Sequence, residues 1–436
     1  MGAAGLAAAA ILAGSAGGGT TARISLADCT ISERAARCGV LTVPEDAQDP
    51  GGRRLALDVV VLPHTGGKGS SEALFVLSGG PGQAATAQAG PLAESLEAAR
   101  RRHDVVLIDQ RGTAGAHQLA CAVAPRTFVV PLDARRCLQR LSGKARLGAY
   151  GTSNFVDDLE AARDALGYAS VSLYGASYGT RVAFAYARRY PARVRSAVLL
   201  APAPIATSVI DGFDTDSDGA LAVLVDDCLS DPRCAGAFPK LRTDLRIVQR
   251  ELADPFHVLG LRFLQYSSTT ARSIPYLVTE AAAGRQDPLD EAIGAFREQL
   301  VEQLSLGLHL TIMCSEEPGL GPTDTATPSS ARREYARACA GWPRTPVPAG
   351  FLTPSRVDVP ALLIVGERDP VTPPRVARLA ARQFSTNQVV VVPRAGHLFA
   401  GPPGCLGAMI AGFLDGGTAD ASCLSALEPP PFRLSR

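Results

Sequence analysis

The stretch Val171–Tyr190, with the sequence VSLYGASYGTRVAFAYARRY, constrains the fold more than any other part of the chain. An apolar, β-rich run enters GASYG at residues 175–179 and leaves directly into a segment with helical periodicity. Glycines on both sides of a serine are expected where a strand turns so tightly into a helix that any side chain would collide with neighbouring backbone. The stretch therefore predicts a strand–turn–helix unit with Ser177 at its tip.

The position of Ser177 indicates nucleophilic catalysis. G-x-S-x-G between a strand and a helix is the pattern of a nucleophile elbow, in which a strained backbone holds the serine hydroxyl beside a helix N-terminus. The motif alone is short and also fits a serine that caps a helix, so the flanking segments decide in favour of the nucleophile. A serine hydroxyl is a weak nucleophile until a base takes its proton, so a base is required elsewhere in the chain.

His397 is the predicted base among the six histidines. It lies in VVVVPRAGHLFAGPPG, just after a β-rich run, on a loop that can return over the serine. Asp369 follows the run Ala361–Gly366 and is the predicted acid that fixes the imidazole tautomer, with Glu367 on the same loop as the alternative. The chain order Ser177, Asp369, His397 is the order that this kind of triad takes on a mainly parallel sheet.

An oxyanion hole needs two backbone N–H groups near the attacked carbonyl. The residue after the nucleophile, Tyr178, is predicted to supply one of them. The glycine-rich stretch VLSGGPGQA (Val76–Ala84) is predicted to supply the other, because glycines let the backbone approach a substrate closely. Within it Gly80 is the predicted donor, with Gly79 as the neighbouring possibility.

Short β-rich runs alternate with helix-like segments over most of the chain. The runs are Gly39–Pro44, Leu55–Pro63, Ala73–Ser78, His103–Asp109, Val171–Gly175, Ser196–Pro202, Ala361–Gly366 and Gln388–Pro393. Strands separated by helices predict an α/β fold, with a mostly parallel sheet flanked by helices on both faces. Between Pro204 and Arg356 the alternation is lost and helix-like segments dominate, which predicts a largely helical insertion.

These patterns divide the chain into four parts. Residues 1–28 are predicted to be a signal-like segment and spacer, 29–203 and 356–436 the two parts of the α/β core, and 204–355 a mainly helical cap. Within the cap, residues 211–218 (DGFDTDSD) are interpreted as an acidic loop. The signal-like segment has a short alanine-rich run and small residues suited to cleavage, although no basic residue precedes the run. The run is too short to span a bilayer, so no integral membrane segment is predicted.

Ten cysteines indicate the compartment. None has the CxxC spacing of zinc sites, so no metal site is predicted. Scattered cysteines in an even number fit an oxidising compartment, which predicts a secreted or cell-envelope protein. We expect five disulfides between sequence neighbours, such as Cys29–Cys38 and Cys228–Cys234, and the alternative is ten free thiols.

The composition excludes some partners. With 436 residues, of which 46% are hydrophobic, the chain can bury a large core. A formal net charge of +1 argues against nucleic acid as a partner, because phosphate binding requires clustered basic charge. No cofactor is expected, since serine, imidazole and backbone dipoles suffice for acyl transfer. The sequence leaves the oligomeric state open.

Several motifs together resemble one family. They are GGPG at 79–82, DQRGT at 109–113, GASYGT at 175–180, GERDPVTPP, and the GH that contains His397. In this combination the chain resembles the proline iminopeptidase and tripeptidyl aminopeptidase group of α/β-hydrolases over most of residues 29–425. The resemblance implies the α/β-hydrolase fold, with GGPG as part of the oxyanion hole. It also implies a secreted serine exopeptidase that cleaves peptide bonds near free N-termini through an acyl-enzyme.

The resemblance also implies a carboxylate that binds the substrate's ammonium group. IMCSEEP (Ile312–Pro318) offers Glu316 and Glu317, although two adjacent glutamates fit a plain surface position as well. Asp109 and Arg111 of DQRG are predicted to pair and brace the loop after their strand. The alternative function is a carboxylesterase or other acyl hydrolase of peptide or ester substrates with the same triad. A non-catalytic binding protein is less favoured, because the triad and both oxyanion segments are intact.

Overall fold

The computed structural model of the protein describes residues 22–66, 72–123, 126–128, 133–320, 329–399 and 404–435. Residues 1–21, which hold most of the predicted signal-like segment, lie outside this range.

Among the described residues, nine strands form one sheet in the order β1-β2-β3-β5-β4-β6-β7-β8-β9. The strands are β1 (Arg23–Ile31), β2 (Arg34–Pro44), β3 (Arg54–Leu62), β4 (Glu72–Leu77), β5 (His103–Ile108), β6 (Val171–Ala176), β7 (Val194–Leu200), β8 (Val357–Gly366) and β9 (Phe384–Val392). Three pairs are antiparallel: β1 with β2, β2 with β3, and β3 with β5. The remaining pairs in this order, from β5 across to β9, are parallel. The predicted α/β class with a mostly parallel sheet is confirmed.

Strand β1 was not among the predicted strands. Residues 23–28, which the sequence places in the spacer, form the larger part of it. The strand lies at the edge of the sheet, pairs with β2 alone, and has no fully buried residue. Its segment RISLADCTI therefore lacks the continuous apolar run by which the central strands are recognised.

Helices cover both faces of the sheet. Those of the core are α1 (Ala89–Ser95), α2 (Ala134–Leu141), α3 (Thr152–Ala165), α4 (Tyr178–Arg189), α14 (Pro374–Ala381) and α15 (Cys405–Gly416). Strand β4 shows how the two faces are filled: Phe75 belongs to the apolar cluster that includes α3 and α4, and Val76 to the cluster that includes α1 and α15. Alternate residues point to opposite faces, so a strand covered on both sides is apolar throughout.

Most of the described residues in the segment between β7 and β8 are helical. Its described helices are α5 (Val209–Ser230), α6 (Pro232–Ala237), α7 (Leu241–Glu251), α8 (Pro255–Phe263), α9 (Ser268–Ala271), α10 (Ile274–Ala282), α11 (Asp287–Glu302), α12 (Leu306–Glu316) and α13 (Ser330–Cys339). We call this segment the cap.

The acidic stretch at 211–218 is not a loop, and that prediction is wrong. It forms the first half of α5, which begins after Ser208, whose hydroxyl accepts from the backbone N–H of Asp211. Arginines pair with its carboxylates: Arg332 with Asp211, and Arg262 with Asp214 at 2.6 Å. Carboxylates also favour a helix N-terminus through the helix dipole. Pairing and capping outweigh the low helix propensity of aspartate and glycine.

Five disulfides join sequence neighbours, as predicted. They are Cys29–Cys38, Cys121–Cys137, Cys228–Cys234, Cys314–Cys339 and Cys405–Cys423. All ten cysteines are thereby paired, which fits an oxidising compartment. Within the described part of the chain, no helix is both long enough and apolar enough to cross a bilayer.

Asp109 and Arg111 follow β5 but do not pair, so that prediction is also wrong. Arg111 donates to both carboxylate oxygens of Asp158 in α3, from Nε at 2.7 Å and from Nη2 at 2.6 Å. Asp109 accepts instead from the backbone N–H of Thr86 at 2.8 Å and from its hydroxyl at 2.9 Å. Each side chain therefore braces a different segment, and Asp109 holds the chain just after the glycine-rich loop.

Asp109 should make folding stability depend on pH. Burial raises the pKa of Asp109 from 3.8 to about 6, although its bonds from Thr86 lower it. The folded state therefore holds this proton more tightly than the unfolded chain, and stability falls as the pH rises from about 4 to about 6. In Asp109→Asn the charge is gone and a carbonyl oxygen remains for Thr86. Relative to the wild type, the variant's free energy of unfolding should rise by about 2 kcal/mol between pH 4 and 8.

This prediction is checked by denaturant unfolding of both proteins at the two pH values. A stability difference between wild type and variant that stays constant with pH would contradict it.

Candidate active site

Ser177 lies at the turn between β6 and α4, in the strained conformation that the motif predicts. Its φ is 52° and its ψ is −118°, which non-glycine residues rarely adopt. A Cβ at Gly175 would lie 2.6 Å from the carbonyl oxygen of Gly179, and one at Gly179 would lie 1.9 Å from that of Leu77. Both glycines are therefore required by close backbone contacts, and the turn places the hydroxyl at the carboxyl end of the central strand.

The structure brings the three predicted triad residues together. The His397 Nε2 lies 3.1 Å from the Ser177 Oγ, and the Nδ1 lies 2.9 Å from each carboxylate oxygen of Asp369. A carboxylate can only accept, so Nδ1 carries the hydrogen and Nε2 is free to accept the serine proton. The ring of Tyr266 from the cap packs against the imidazole, with 5.1 Å between ring centroids. The geometry is that of a base poised beside a nucleophile.

Asp369 is held as an anion. Its side chain is buried, and the backbone N–H groups of Val371 and Thr372 each donate to Oδ1 at 2.8 Å. Burial by itself raises the pKa of Asp369, but the charge of His397 and the hydrogen bonds from His397, Thr372 and Val371 outweigh burial and lower it. The alternative acid, Glu367, is exposed and accepts from the backbone N–H of Arg394 at 2.7 Å.

The glycine-rich loop packs directly against the nucleophile. A Cβ at Gly79 would lie 3.4 Å from the Cβ of Ser177. Gly80 has a φ of 110°, a conformation that favours glycine, so the loop could not follow this path with a larger residue there. Tyr178 is the first residue of α4, where a backbone N–H has no acceptor within its own helix. The loop and the helix N-terminus thus flank the serine on one side of the site.

A cavity of about 550 Å³ opens above Ser177 and His397. The cap and the core both contribute to its wall, which is largely apolar. Among the aromatic rings on the wall are those of Phe128, Phe213, Phe263, Tyr266, Phe296 and Phe399. A mostly apolar cavity with a few polar groups at one end is the usual form of a small-molecule or peptide-end site.

Glu316 lies outside the residues that line this cavity, so the structure does not place it for substrate binding. Its buried carboxylate accepts from the Thr152 backbone N–H at 2.7 Å and from the Thr152 hydroxyl at 2.5 Å. The same hydroxyl lies 2.6 Å from that of Tyr178, to which Gln110 donates at 3.1 Å. Burial raises the pKa of Glu316, against the effect of its bonds from Thr152. Glu316 therefore anchors the side chain of the residue after the nucleophile.

Glu317 does line the cavity, but other groups occupy its carboxylate. The Arg181 guanidinium donates to it at 2.6 Å. The Ser208 hydroxyl and the Val209 backbone N–H, at the start of α5, donate to its other oxygen at 3.0 and 2.8 Å. An ammonium group would have to displace a buried arginine. Both carboxylates therefore join the cap to the core in the structure, and the ammonium site predicted at Glu316 and Glu317 stays a prediction.

Glu334 on α13 is a carboxylate on the cavity wall that the sequence did not indicate. Its side chain is 32% exposed, and its ion-pair partner, Arg337 at 2.9 Å, is itself exposed on the same helix. An exposed pair of this kind is weak, so Glu334 can accept another cation at little cost. The segment SARREYARAC has the pattern of an ordinary amphipathic helix, and no signal in it marks Glu334.

The sequence also matches known families in two segments. Residues 58–233 match the family model of the α/β hydrolase fold, and residues 326–424 match that of the TAP-like proteins. The chain is an α/β-hydrolase with a TAP-like C-terminal segment. The first matched segment of this hydrolase carries Ser177, the second carries Asp369 and His397, and most of the cap lies between them.

Among its relatives are two named peptidases. This hydrolase is 26% identical over 462 residues to the serine protease Hip1 of Mycobacterium tuberculosis, covering 89% of this chain and 86% of that protein. It is 28% identical over 190 residues to the tripeptidyl aminopeptidase of Streptomyces coelicolor, covering 37% of this chain and 34% of that one. A crystal structure of a serine hydrolase from Cycloclasticus zankles covers 88% of this chain and 100% of its own, with 14% identity and a TM-score of 0.42. The family and the assembled site make this protein a serine hydrolase.

Proposed function

We propose that this serine hydrolase is an exopeptidase that cleaves peptides near a free N-terminus through an acyl-enzyme. The observation that carries the proposal is the hydrogen-bonded series from Ser177 through His397 to Asp369, which opens into an apolar cavity with a carboxylate on its wall. The named peptidase relatives point to the same class of substrate. Five disulfides support a location outside the cytoplasm, so we propose that the enzyme is secreted or held in the cell envelope.

The chemistry follows from the roles we propose for these residues. The Ser177 Oγ attacks the substrate carbonyl carbon while its proton passes to the His397 Nε2, and the imidazolium that forms is stabilised by the Asp369 carboxylate. The N–H groups of Tyr178 and Gly80 are proposed to bind the oxyanion of the tetrahedral intermediate. His397 then gives the proton to the leaving amine, the C–N bond breaks, and the acyl group remains on Ser177. Water then attacks the acyl-enzyme while His397 takes its proton. The bond between the acyl carbon and the Ser177 Oγ breaks, His397 returns the proton to Oγ, and the carboxylic acid is released.

The walls of the cavity suggest which substrates are preferred. Phe263 packs against Phe213 and Phe296 on this wall, with ring centroids 5.6 and 5.9 Å apart. Such walls favour apolar side chains on the N-terminal part of a peptide. They suit a neutral ester as well, so a carboxylesterase is the second candidate. Short p-nitrophenyl esters assayed beside tripeptidyl p-nitroanilides separate the two.

Glu334 provides the test of the exopeptidase proposal. We propose that it binds the substrate's ammonium group, so Glu334→Gln should raise KM for an apolar tripeptidyl p-nitroanilide by about 10–100-fold, the effect of losing one charge-assisted hydrogen bond. The N-acetylated form of the same peptide has no ammonium group, and its hydrolysis should not change. Steady-state kinetics on both peptides measure the difference.

The matched control is Glu251→Gln, which removes an exposed carboxylate that does not line the cavity. An unchanged preference for the free N-terminus in Glu334→Gln would remove Glu334 from the site. Equal hydrolysis of both peptides by the wild type would instead refute the exopeptidase itself.

A further inference from the structure

His309 is a buried histidine of the cap that the proposed reaction does not use. It lies on α12, and its Nδ1 is 3.0 Å from the carbonyl oxygen of Pro81, in the middle of the glycine-rich loop. Its Nε2 is 2.7 Å from the hydroxyl of Tyr335 on α13. The imidazole therefore joins two cap helices to the loop that flanks the nucleophile.

These contacts fix the protonation of the ring. The carbonyl oxygen of Pro81 can only accept, so Nδ1 must carry a hydrogen. Burial lowers the pKa of His309 to about 4, although the bond to Pro81 raises it, so the ring is neutral at ordinary pH. A neutral imidazole carries one hydrogen, which here is on Nδ1. Nε2 therefore accepts a hydrogen bond from the Tyr335 hydroxyl. Each member of the set thus has one defined hydrogen-bonding role.

The chain before His309 also contacts the loop. The backbone N–H of Ser305 donates to the carbonyl oxygen of Gly82 at 2.9 Å. A Cβ at Gly80 would lie 3.1 Å from Leu304, and the Gln303 amide accepts from Gln83 at 3.2 Å. Consecutive residues of the loop are therefore covered by the segment that leads into α12. In this series His309 is the side chain that bonds directly to the loop backbone next to Gly80.

We propose that His309 is a positioning residue, which holds the backbone of the Gly79–Gly82 loop where the N–H of Gly80 can bind the oxyanion. The inference rests on the proposed acyl-enzyme chemistry. Because the loop contains three glycines, its own sequence does little to restrict its conformation, and an external contact has to do so. His309 lies on the cavity wall, but both of its ring nitrogens are occupied, by Pro81 and Tyr335. Its loss should impair the transition state, in which the oxyanion forms, more than the binding of substrate.

Three substitutions separate this role from simple packing. The amide nitrogen of asparagine can take the place of the imidazole Nδ1, whereas that of glutamine takes the place of Nε2. His309→Asn should therefore keep the bond to Pro81 and retain kcat within about 5-fold. His309→Gln and His309→Ala should each lower kcat by about 10–100-fold with little change in KM, a smaller loss than removal of an oxyanion donor itself. Tyr335→Phe leaves Nε2 without its donor and should lower kcat by about 3–10-fold. This variant tests the proposal if the His309 variants do not fold.

A second measurement reports on the oxyanion hole directly. A peptidyl trifluoromethyl ketone forms a tetrahedral adduct with the serine and places an oxyanion at the donors. Its inhibition constant should rise in parallel with the loss of kcat, whereas that of the free tripeptide product should stay unchanged.

The inference is wrong if folded His309→Ala retains kcat within 3-fold of the wild type. It is also wrong if asparagine rescues no better than glutamine, or if the affinities for ketone and product fall together. These outcomes leave the proposed function intact, because that function fails only if the wild type does not cleave peptides with a free N-terminus in preference to their N-acetylated forms. In that case the same comparison can be run on an ester substrate.

Discussion

Ser177→Ala is expected to abolish turnover of every substrate, peptide or ester, with a fall in kcat of roughly 10⁶-fold. The variant keeps the elbow, because alanine removes only the hydroxyl. Gly175 and Gly179 are unchanged, so their close contacts with the carbonyls of Gly179 and Leu77 remain. It leaves His397 with no proton to accept and the carbonyl with no nucleophile. Residual catalysis then comes only from substrate binding and the oxyanion donors, which supply a small part of the acceleration.

Steady-state kinetics on p-nitroanilides and p-nitrophenyl esters measure this loss, and a fluorophosphonate probe should label the wild type but not the variant. Ser172→Ala is the matched control, since Ser172 lies in the same strand–turn–helix stretch and its hydroxyl lies 3.0 Å from that of Ser196. It should retain activity and labelling. Turnover by folded Ser177→Ala above about one thousandth of the wild-type rate would mean that another group is the nucleophile.

The parts of the site that could be predicted from the sequence are those that local geometry determines. A turn as tight as that at Ser177 requires glycine at Gly175 and Gly179, so the sequence reveals the turn, and the turn reveals the serine. Asp369 and His397 follow because strands of a parallel sheet end at one edge, where loops from distant parts of the chain meet. The disulfides are predictable for a similar reason, since neighbours in sequence close the shortest loops.

The parts that could not be predicted depend on how the cap folds. Glu316 and Glu317 are adjacent in sequence, yet the first bonds to Thr152 of α3 and the second to Arg181 of α4. Glu334 also reaches the cavity wall, where its exposed ion pair leaves it open to another cation, and nothing in its helix indicates this position. Long-range pairing also explains Arg111, whose partner Asp158 lies 47 residues away. Such pairings depend on tertiary contacts for which one sequence carries no local pattern.

Asp369→Asn is expected to lower kcat by roughly 10⁴-fold while the fold and KM change little. The neighbouring N–H groups decide how the new amide is oriented. Val371 and Thr372 both donate to Oδ1, so the carbonyl oxygen of the asparagine must stay there. The NH₂ group then takes the place of Oδ2, where it faces the His397 Nδ1 and donates to it. This bond favours the tautomer with the hydrogen on Nε2, and in that tautomer the imidazole cannot accept the proton of Ser177.

The matched control lies on the same loop. Glu367→Gln also neutralises a carboxylate, but that side chain is exposed and bonds to the backbone of Arg394, so kcat should stay within about 3-fold of the wild type. Kinetics of the two variants on one p-nitroanilide distinguish a charge near the site from a specific acid. A small effect of Asp369→Asn beside a large effect of Glu367→Gln would transfer the role to Glu367. Small effects of both substitutions would mean that His397 keeps its working tautomer without a carboxylate. Packing of the proline-rich loop and the ring of Tyr266 would then be enough to orient the imidazole.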